Sequence, residues 1–493
     1  MLETDLLVIG GGINGVAVAV EAANRGLKVI LCEKGDFASA TSSASTQLIH
    51  GGLRYLEQYE FRLVREALRE RSVLLHRAPH LVHPLKFVLP YSNQRRARWE
   101  IYAGLKLYDW LSSRDQLAKS SYFKLANNNP LQNNYREAFS YSDCQADDAR
   151  LVILNAVLAR KLGVKLLPHT ECIKARAEKG AWILSLQSEQ GEEIVKAKAV
   201  VNTAGAWSPS VLTQLFGLEN KEAVSLIKGS HIIVPKIYPE RVAYTLQNSD
   251  GRVVFVIPYK EHFSLIGTTD VATDSPSKPK ITNEEITYLI KATNAYFKKQ
   301  INAKDIMGSY AGLRCLAGDN KIRPSEITRD NRIQVDLVDD APLVSLFGGK
   351  LTTHRAVAAE IVKKLEVYFP PMNKKSTRNL ILPGGDLNKS FDAFVAQLRE
   401  QYPWVPVDLI ARYAHNYGSL SYKILNNCHS LADLGKHFGA GLYQREVDYL
   451  LKEEWLNSVD DLLWRRTKLG LEAQAINLKD LTAYLEGNKN AHT

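Results

Sequence analysis

Leu6-Leu7-Val8-Ile9-Gly10-Gly11-Gly12-Ile13-Asn14-Gly15 is the stretch on which the fold turns: an apolar strand runs into glycines, and an acid, Glu33, closes the next apolar run, Val29 to Cys32. Strand, glycine turn, helix and acid in that order form the βαβ fingerprint of a dinucleotide site, for FAD or NAD. Gly10 permits the tight turn, Gly12 a close backbone approach to a pyrophosphate, Gly15 the packing of helix on strand, and Glu33 contact with ribose hydroxyls. A helix beginning near Gly12 aims unpaired N–H groups and its positive dipole end at a diphosphate. The helix, Gly15 to Arg25, is rich in Ala and Val and ends at Gly26. Glycine-rich turns also serve as plain connectors, but here the acid stands where a ribose would need it.

The 493 residues exceed a single core, so two or three domains are expected. Cys32, Cys144, Cys172, Cys315 and Cys428 show no ligand spacing, which argues against an iron–sulfur cluster, a zinc site and a disulfide framework, so no metal is expected, and fits a reducing, cytoplasmic compartment. With the first strand starting by about residue 4, no leader is expected, and no apolar run nears the roughly 18 residues of a membrane span. The net charge of +10 is uneven: residues 60–110 carry ten Lys/Arg against five Asp/Glu, interleaved with Phe61, Phe87, Tyr91, Trp99, Tyr102, Tyr108 and Trp110. Arg62, Arg65 and Arg69 share one helical face. This reads either as a solvated surface helix or as contact with an anionic membrane, where each basic residue adds about 1 kcal/mol. No motif supports nucleic acid.

Small hydroxyl residues from Ala38 to Thr46, followed by His50-Gly51-Gly52-Leu53-Arg54-Tyr55, can wrap closely round a cofactor. Periodicity predicts helices over 59–77, 143–163, 283–299 and 354–368, and strands near 165–168, 172–175, 182–187 and 198–201. The last of these strands ends at Asn202-Thr203-Ala204-Gly205-Ala206-Trp207, a turn that could rest against an adenosine or simply close a buried strand. From Lys228 to Asp270 short alternating strands predict an antiparallel substrate domain. Val344 to Thr353 reads as strand, glycine turn and helix start. Beyond Gly385 the chain turns helical, with Trp455 and Trp464 as packing anchors and no catalytic constellation.

Val8 to Gly15, Ala40-Thr41-Ser42-Ser43, Leu48-Ile49-His50-Gly51-Gly52-Leu53-Arg54-Tyr55-Leu56, Tyr310-Ala311-Gly312-Leu313-Arg314 and Phe347-Gly348-Gly349-Lys350-Leu351-Thr352-Thr353 together resemble the FAD-dependent, respiratory glycerol-3-phosphate dehydrogenases. The likeness extends to Trp464-Arg465-Arg466-Thr467-Lys468-Leu469-Gly470. It implies an α/β fold: an FAD-binding Rossmann-like domain of the glutathione-reductase and D-amino-acid-oxidase type (1–75, 141–225, 305–375), an antiparallel β-sheet substrate domain (76–140, 226–304) and a C-terminal helical domain (380–493). It further implies FAD as cofactor, glycerol 3-phosphate as donor, ubiquinone or another quinone as acceptor, and peripheral attachment to the inner face of the cytoplasmic membrane. A homodimer is left open.

Carried over by residue, Gly10, Gly12, Ile13, Asn14, Gly15 and Glu33 would hold pyrophosphate and ribose. Thr41, Ser42, Ser43, Ser45, Thr46, His50, Gly51 and Gly52 would line the flavin, Ala204, Gly205 and Trp207 the adenosine, and Gly349, Lys350, Leu351 and Thr352 the ring's O2 edge. Lys34 and Cys172 join the cofactor set. Arg54, Tyr55, His231, Arg314, Arg329 and Lys350 would face the substrate, with His231 and Arg314 catalytic. Gln47 departs from the basic residue that the resemblance leads one to expect. Chemically, a dianionic phosphomonoester calls for two or more cations, and Arg supplies bidentate contacts. Oxidising a secondary alcohol calls for a base, a role suited to His231. The alternatives are an amine or amino-acid oxidase on the same fold, a glycerol-phosphate oxidase using oxygen, and a flavin-bound scaffold that docks on lipid without turnover.

Overall fold

The first strand, Leu2–Ile9, splits its side chains between two cores: Leu6 and Val8 face helices, Leu7 and Ile9 face Trp182 and Leu184. A strand covered on both faces needs no polar alternation, which is why it reads as an unbroken apolar run. The computed structural model describes residues 1–92, 97–112, 117–277, 279–318 and 330–488. Its first sheet runs Arg332–Val338, Ala341–Phe347, Gly191–Asn202, Leu2–Ile9, Val29–Cys32 and Lys165–Leu167. The inner strands are parallel, and Glu171–Glu178 and Ala181–Ser188 fold back on Gly191–Asn202 as an antiparallel meander. Helix Ile13–Asn24 packs beside helices Asp148–Lys161 and His354–Leu365. Gly15 makes its close seat on the strand attainable, since a Cβ there would meet the Gly10 carbonyl oxygen at 1.9 Å.

The second sheet is largely antiparallel. Its order is Val271–Thr273, Val224–Pro235, Phe263–Gly267, Val253–Tyr259, Val242–Gln247, Val82–Tyr91, Glu137–Ala146 and Leu48–Ile49, with Gly308–Ala317 along Val224–Pro235 and Ser121–Lys124 along Glu137–Ala146. Three expectations change here. The helix expected from Asp143 begins at Asp148, after the cap in which Asp147 accepts the Arg150 N–H; Asp143 itself is a buried strand residue. The division expected at residue 141 falls inside strand Glu137–Ala146, and Gly308–Ala317, expected with the dinucleotide domain, pairs in the second sheet. The basic stretch 60–110 is not one surface: Arg71 and Arg77 are buried, and Val82–Tyr91 is a strand with an apolar interior face.

The C-terminal part is helical apart from the short hairpin His437–Gly439 and Leu442–Tyr443. It shares one continuous apolar core with the dinucleotide fold, from Leu6 and Val8 through helix Asp148–Lys161 to Leu481. Buried ion pairs cross the seam: Arg150 with Glu454, and Arg465 and Arg466 with Asp36. Among the described residues, no helix is long and apolar enough to cross a membrane.

Candidate active site

A cavity of about 1280 Å³ is lined from both sheets, at the carboxyl ends of the parallel strands where Ile9 meets Gly10 and Cys32 meets Glu33. That exceeds the roughly 300–1,000 Å³ of ordinary small-molecule sites and leaves room for a large cofactor beside a substrate.

One wall is built from backbone. Gly10, Gly12, Ile13 and Asn14 line it, and the Ile13 N–H at the helix start donates to Ser42 Oγ at 3.0 Å. The Glu33 carboxylate accepts from the Gly11 and Gly35 N–H groups at 2.6 and 2.8 Å, while burial pushes its pKa above the ordinary value. Lys34 lies over the Trp207 ring, 5.1 Å from its centroid. Thr41 donates to the Leu313 carbonyl at 2.7 Å, which ties the hydroxyl-rich loop to strand Gly308–Ala317. Ser43, Ser45, Thr46, His50, Gly52, Cys172, Ala204 and Gly205 share this cavity, and burial pushes the Cys172 thiol up to about 12. At the far end come Gly349, Lys350, Leu351 and Thr352. Gly349 has φ +100°, and a Cβ there would meet Asn14 Nδ2 at 2.6 Å. Asn14 Oδ1 is buried without a hydrogen-bond partner. A drawn-in backbone and a waiting polar atom are what a bound dinucleotide requires.

The other wall is built from side chains. His231, on strand Val224–Pro235, places Nε2 3.0 Å from Thr46 Oγ1 and stacks on Tyr310, with centroids 4.9 Å apart. Its Nδ1 is buried and has no hydrogen-bond partner. Burial, reinforced by the Arg314 charge, lowers its pKa to about 3, so the imidazole is neutral near pH 7. Arg314, on the neighbouring strand, donates to Asp270 at 2.5 Å and to the Thr269 carbonyl at 3.0 Å, which fixes its guanidinium. Arg54 and Tyr55 enter from the turn Leu53–Leu56, and Lys350 lies over the Tyr55 ring at 4.2 Å. Four basic or imidazole groups, Arg54, His231, Arg314 and Lys350, thus line one cavity from four separate segments of the chain.

Two expected cofactor residues stand behind the cavity instead. Gly15 packs helix on strand, and the Gly51 N–H donates to Tyr108 Oη at 2.9 Å. Tyr108 in turn donates to buried Asp143, the partner of Arg71. Gln47 is buried and outside the lining, so its side chain is not among those placed to meet a phosphate. Arg329 lies outside the described residues. Sequence reasoning missed Asp270, gave no role to Tyr310, Arg465 or Lys468, and read Trp464 only as a packing anchor; all five line the cavity. The signal for the last three was a doubled arginine and a lysine in an otherwise helical tail.

The family described as FAD dependent oxidoreductase matches residues 5–353, and the C-terminal domain of alpha-glycerophosphate oxidase matches residues 375–485. The chain is 47% identical over 485 residues to a glycerol-3-phosphate dehydrogenase of Pseudomonas aeruginosa, covering 98% of this chain and 95% of that one. It is 45% identical over 471 residues to a D-erythritol 1-phosphate dehydrogenase of Brucella abortus, covering 94% of each. The crystal structure of a glycerol-3-phosphate dehydrogenase from Bacillus halodurans complexed with FAD superposes with a TM-score of 0.75 at 26% identity, over 98% of this chain and 89% of that one.

Proposed function

The chain belongs to the family of FAD-dependent glycerol-3-phosphate dehydrogenases, and from that premise we propose that it oxidises sn-glycerol 3-phosphate to dihydroxyacetone phosphate. The observation that carries the reading is the pairing, across one cavity, of a backbone-built cradle with a wall holding Arg54, Arg314, Lys350 and a neutral His231. FAD, when bound, supplies the acceptor for the hydride that leaves the carbinol carbon.

The chain's own residues do the rest. The helix start at Ile13 and the glycine turn hold the pyrophosphate, and Glu33 exchanges its hold on backbone amides for ribose hydroxyls. Ala204, Gly205 and Trp207 flank the adenosine, and the hydroxyl-rich loop with His50 and Gly52 flanks the ring. Lys350 and the turn Gly349 to Thr352 place positive charge where negative charge grows at the ring's edge. Arg54 and Arg314 grip the phosphate, and Asp270 keeps Arg314 oriented. With the Nε2 hydrogen donated to Thr46, His231 Nδ1 keeps its lone pair and takes the substrate hydroxyl proton. Arg329 is proposed as a third phosphate ligand on sequence grounds.

A second substrate is favoured by one specific observation: the relative named for D-erythritol 1-phosphate is nearly as similar as the one named for glycerol 3-phosphate. Steady-state assays with both substrates decide between them. The reading requires kcat/KM for glycerol 3-phosphate to exceed that for D-erythritol 1-phosphate, and the reverse ranking would overturn the assignment.

We further propose a quinone as electron acceptor and the cytoplasmic face of an anionic membrane as the docking surface. Support comes from helices Phe61–Arg77 and Arg98–Leu111, which expose Arg65, Arg69, Trp99 and Trp110. Both tryptophans are about 70% exposed, an arrangement suited to the headgroup layer. Turnover with a soluble quinone analogue that outpaces turnover with oxygen supports the acceptor, and the opposite order rejects it.

A further inference from the structure

The C-terminal run Trp464 to Gly470 carries one cation to the back of the reacting wall. Lys468 is buried in a left-handed backbone conformation, φ +60°, and its Nζ lies 3.3 Å from Asp148 Oδ1 and 3.9 Å from Asp147 Oδ1. Asp148, fully buried at the start of helix Asp148–Lys161, uses Oδ2 to accept both the backbone N–H and the hydroxyl of Ser45, at 3.0 and 2.8 Å. Ser45 presents its carbonyl to the Tyr310 hydroxyl at 2.8 Å, and Tyr310 stacks on His231. The next residue, Thr46, holds His231 Nε2. Ser45 Oγ also accepts the Gln47 N–H at 2.9 Å, and Gln47 sits at φ +57°. A turn held in that region needs its anchors.

We infer that Lys468 is a positioning residue: its ammonium keeps Asp148 ionised, and Asp148 through Ser45 and Thr46 sets the His231 imidazole for proton removal. The inference rests on the role proposed for His231. Burial raises the Asp148 pKa, and the nearby Lys468 charge opposes that rise; Asp147 raises it further. Without the ammonium, a carboxylate this deep takes up a proton at Oδ1, where Lys468 stood, and the neutral Oδ2 left to Ser45 is a weaker acceptor for both of its bonds. Asp147, Tyr259 and Lys260 also face Lys468; the Lys260 ammonium is drawn to Asp147, and Lys468 is the cation that acts on Asp148. A helical C-terminal unit thereby completes an active site whose cofactor and substrate walls lie in the other sheets.

The test uses full-length, FAD-loaded protein and four variants: Lys468→Met, Lys468→Met with Asp148→Asn, His231→Asn, and His231→Asn with Lys468→Met. For Lys468→Met, kcat is expected to fall by roughly 10- to 100-fold while KM changes little. A new acidic limb should enter the kcat profile, with the rate recovering as pH rises and Asp148 ionises. Adding Asp148→Asn should remove that limb and leave kcat low. Histidine-selective ¹⁵N NMR should show the His231 Nε2 signal shifted in Lys468→Met, a readout independent of turnover. In the His231→Asn background Lys468→Met should cost little more. A His231→Asn enzyme with undiminished kcat would defeat the role of His231. An impaired His231→Asn enzyme beside a Lys468→Met enzyme with normal kcat and pH profile would defeat this inference alone. So would failure of all three variants carrying Lys468→Met to fold or to retain FAD, which would make the lysine a fold residue.

Discussion

The two walls of the cavity are made by different means. The dinucleotide cradle is mainly backbone, begun by the contiguous turn at Gly10 to Gly15 and shaped by missing side chains, as at Gly15 and Gly349. The facing side consists of side chains from the turn at Arg54, the strand at His231, the strand at Arg314 and the turn at Lys350, of which His231, Arg314 and Lys350 are held by Thr46, Asp270 and Tyr55. The difference teaches that cofactor retention depends on room, whereas turnover depends on charge and orientation. Substitutions should therefore separate the two properties.

The largest effect is expected at the cradle. Gly15→Ala puts a methyl where 1.9 Å separates it from the Gly10 carbonyl oxygen, so the purified variant should lack flavin absorbance altogether. Normal FAD content would mean that the helix can shift off the strand. On the other wall, His231→Asn should keep its FAD and lose roughly 10²- to 10⁴-fold in kcat. If FAD were lost as well, the separation of the walls would fail. Arg314→Met, which also strands Asp270, should retain flavin and lower kcat/KM for glycerol 3-phosphate by roughly 30- to 1,000-fold, carried mainly by KM, corresponding to about 2–4 kcal/mol. A change confined to kcat would reassign the arginine.

A milder effect concerns the seam between the second sheet and the C-terminal helices. His83 Nε2 lies 2.9 Å from His415 Nδ1 and from the His80 carbonyl oxygen. Burial lowers the three imidazoles to about 3 for His80, 4 for His83 and 2 for His415. The unfolded chain protonates such groups near pH 6.5. Between that value and the folded-state values the unfolded state binds more protons, so stability is full above about pH 6.5 and falls as pH drops, by up to about 1.4 kcal/mol per pH unit for each histidine. Thermal melts from pH 7.5 to 5 should show this decline, with a shallower slope in His415→Phe. A slope unchanged by the substitution would remove His415 from the account.

The cradle was legible because its chemistry is local: strand, glycines and acid lie within some thirty residues, and spacing alone implies the turn. The side-chain wall was legible only through resemblance, since nothing in the sequence brings Arg54 and Arg314 to one cavity. Asp143 misled because an acid before an apolar run looks like a helix cap, whereas this one is buried against Arg71 and Tyr108. Lys468 was illegible as a site residue because its partners, Asp147 and Asp148, stand more than three hundred positions earlier. The basic stretch mixed two populations that charge counting cannot separate: Arg65 and Arg69 face solvent, while Arg71 and Arg77 serve the core.

The most direct measurement is anaerobic mixing of the FAD-loaded protein with stoichiometric glycerol 3-phosphate while following the oxidised flavin band. The account predicts full bleaching by glycerol 3-phosphate and none by glycerol, inorganic phosphate or D-alanine. A band that persists with glycerol 3-phosphate, or that D-alanine bleaches as readily, would contradict it.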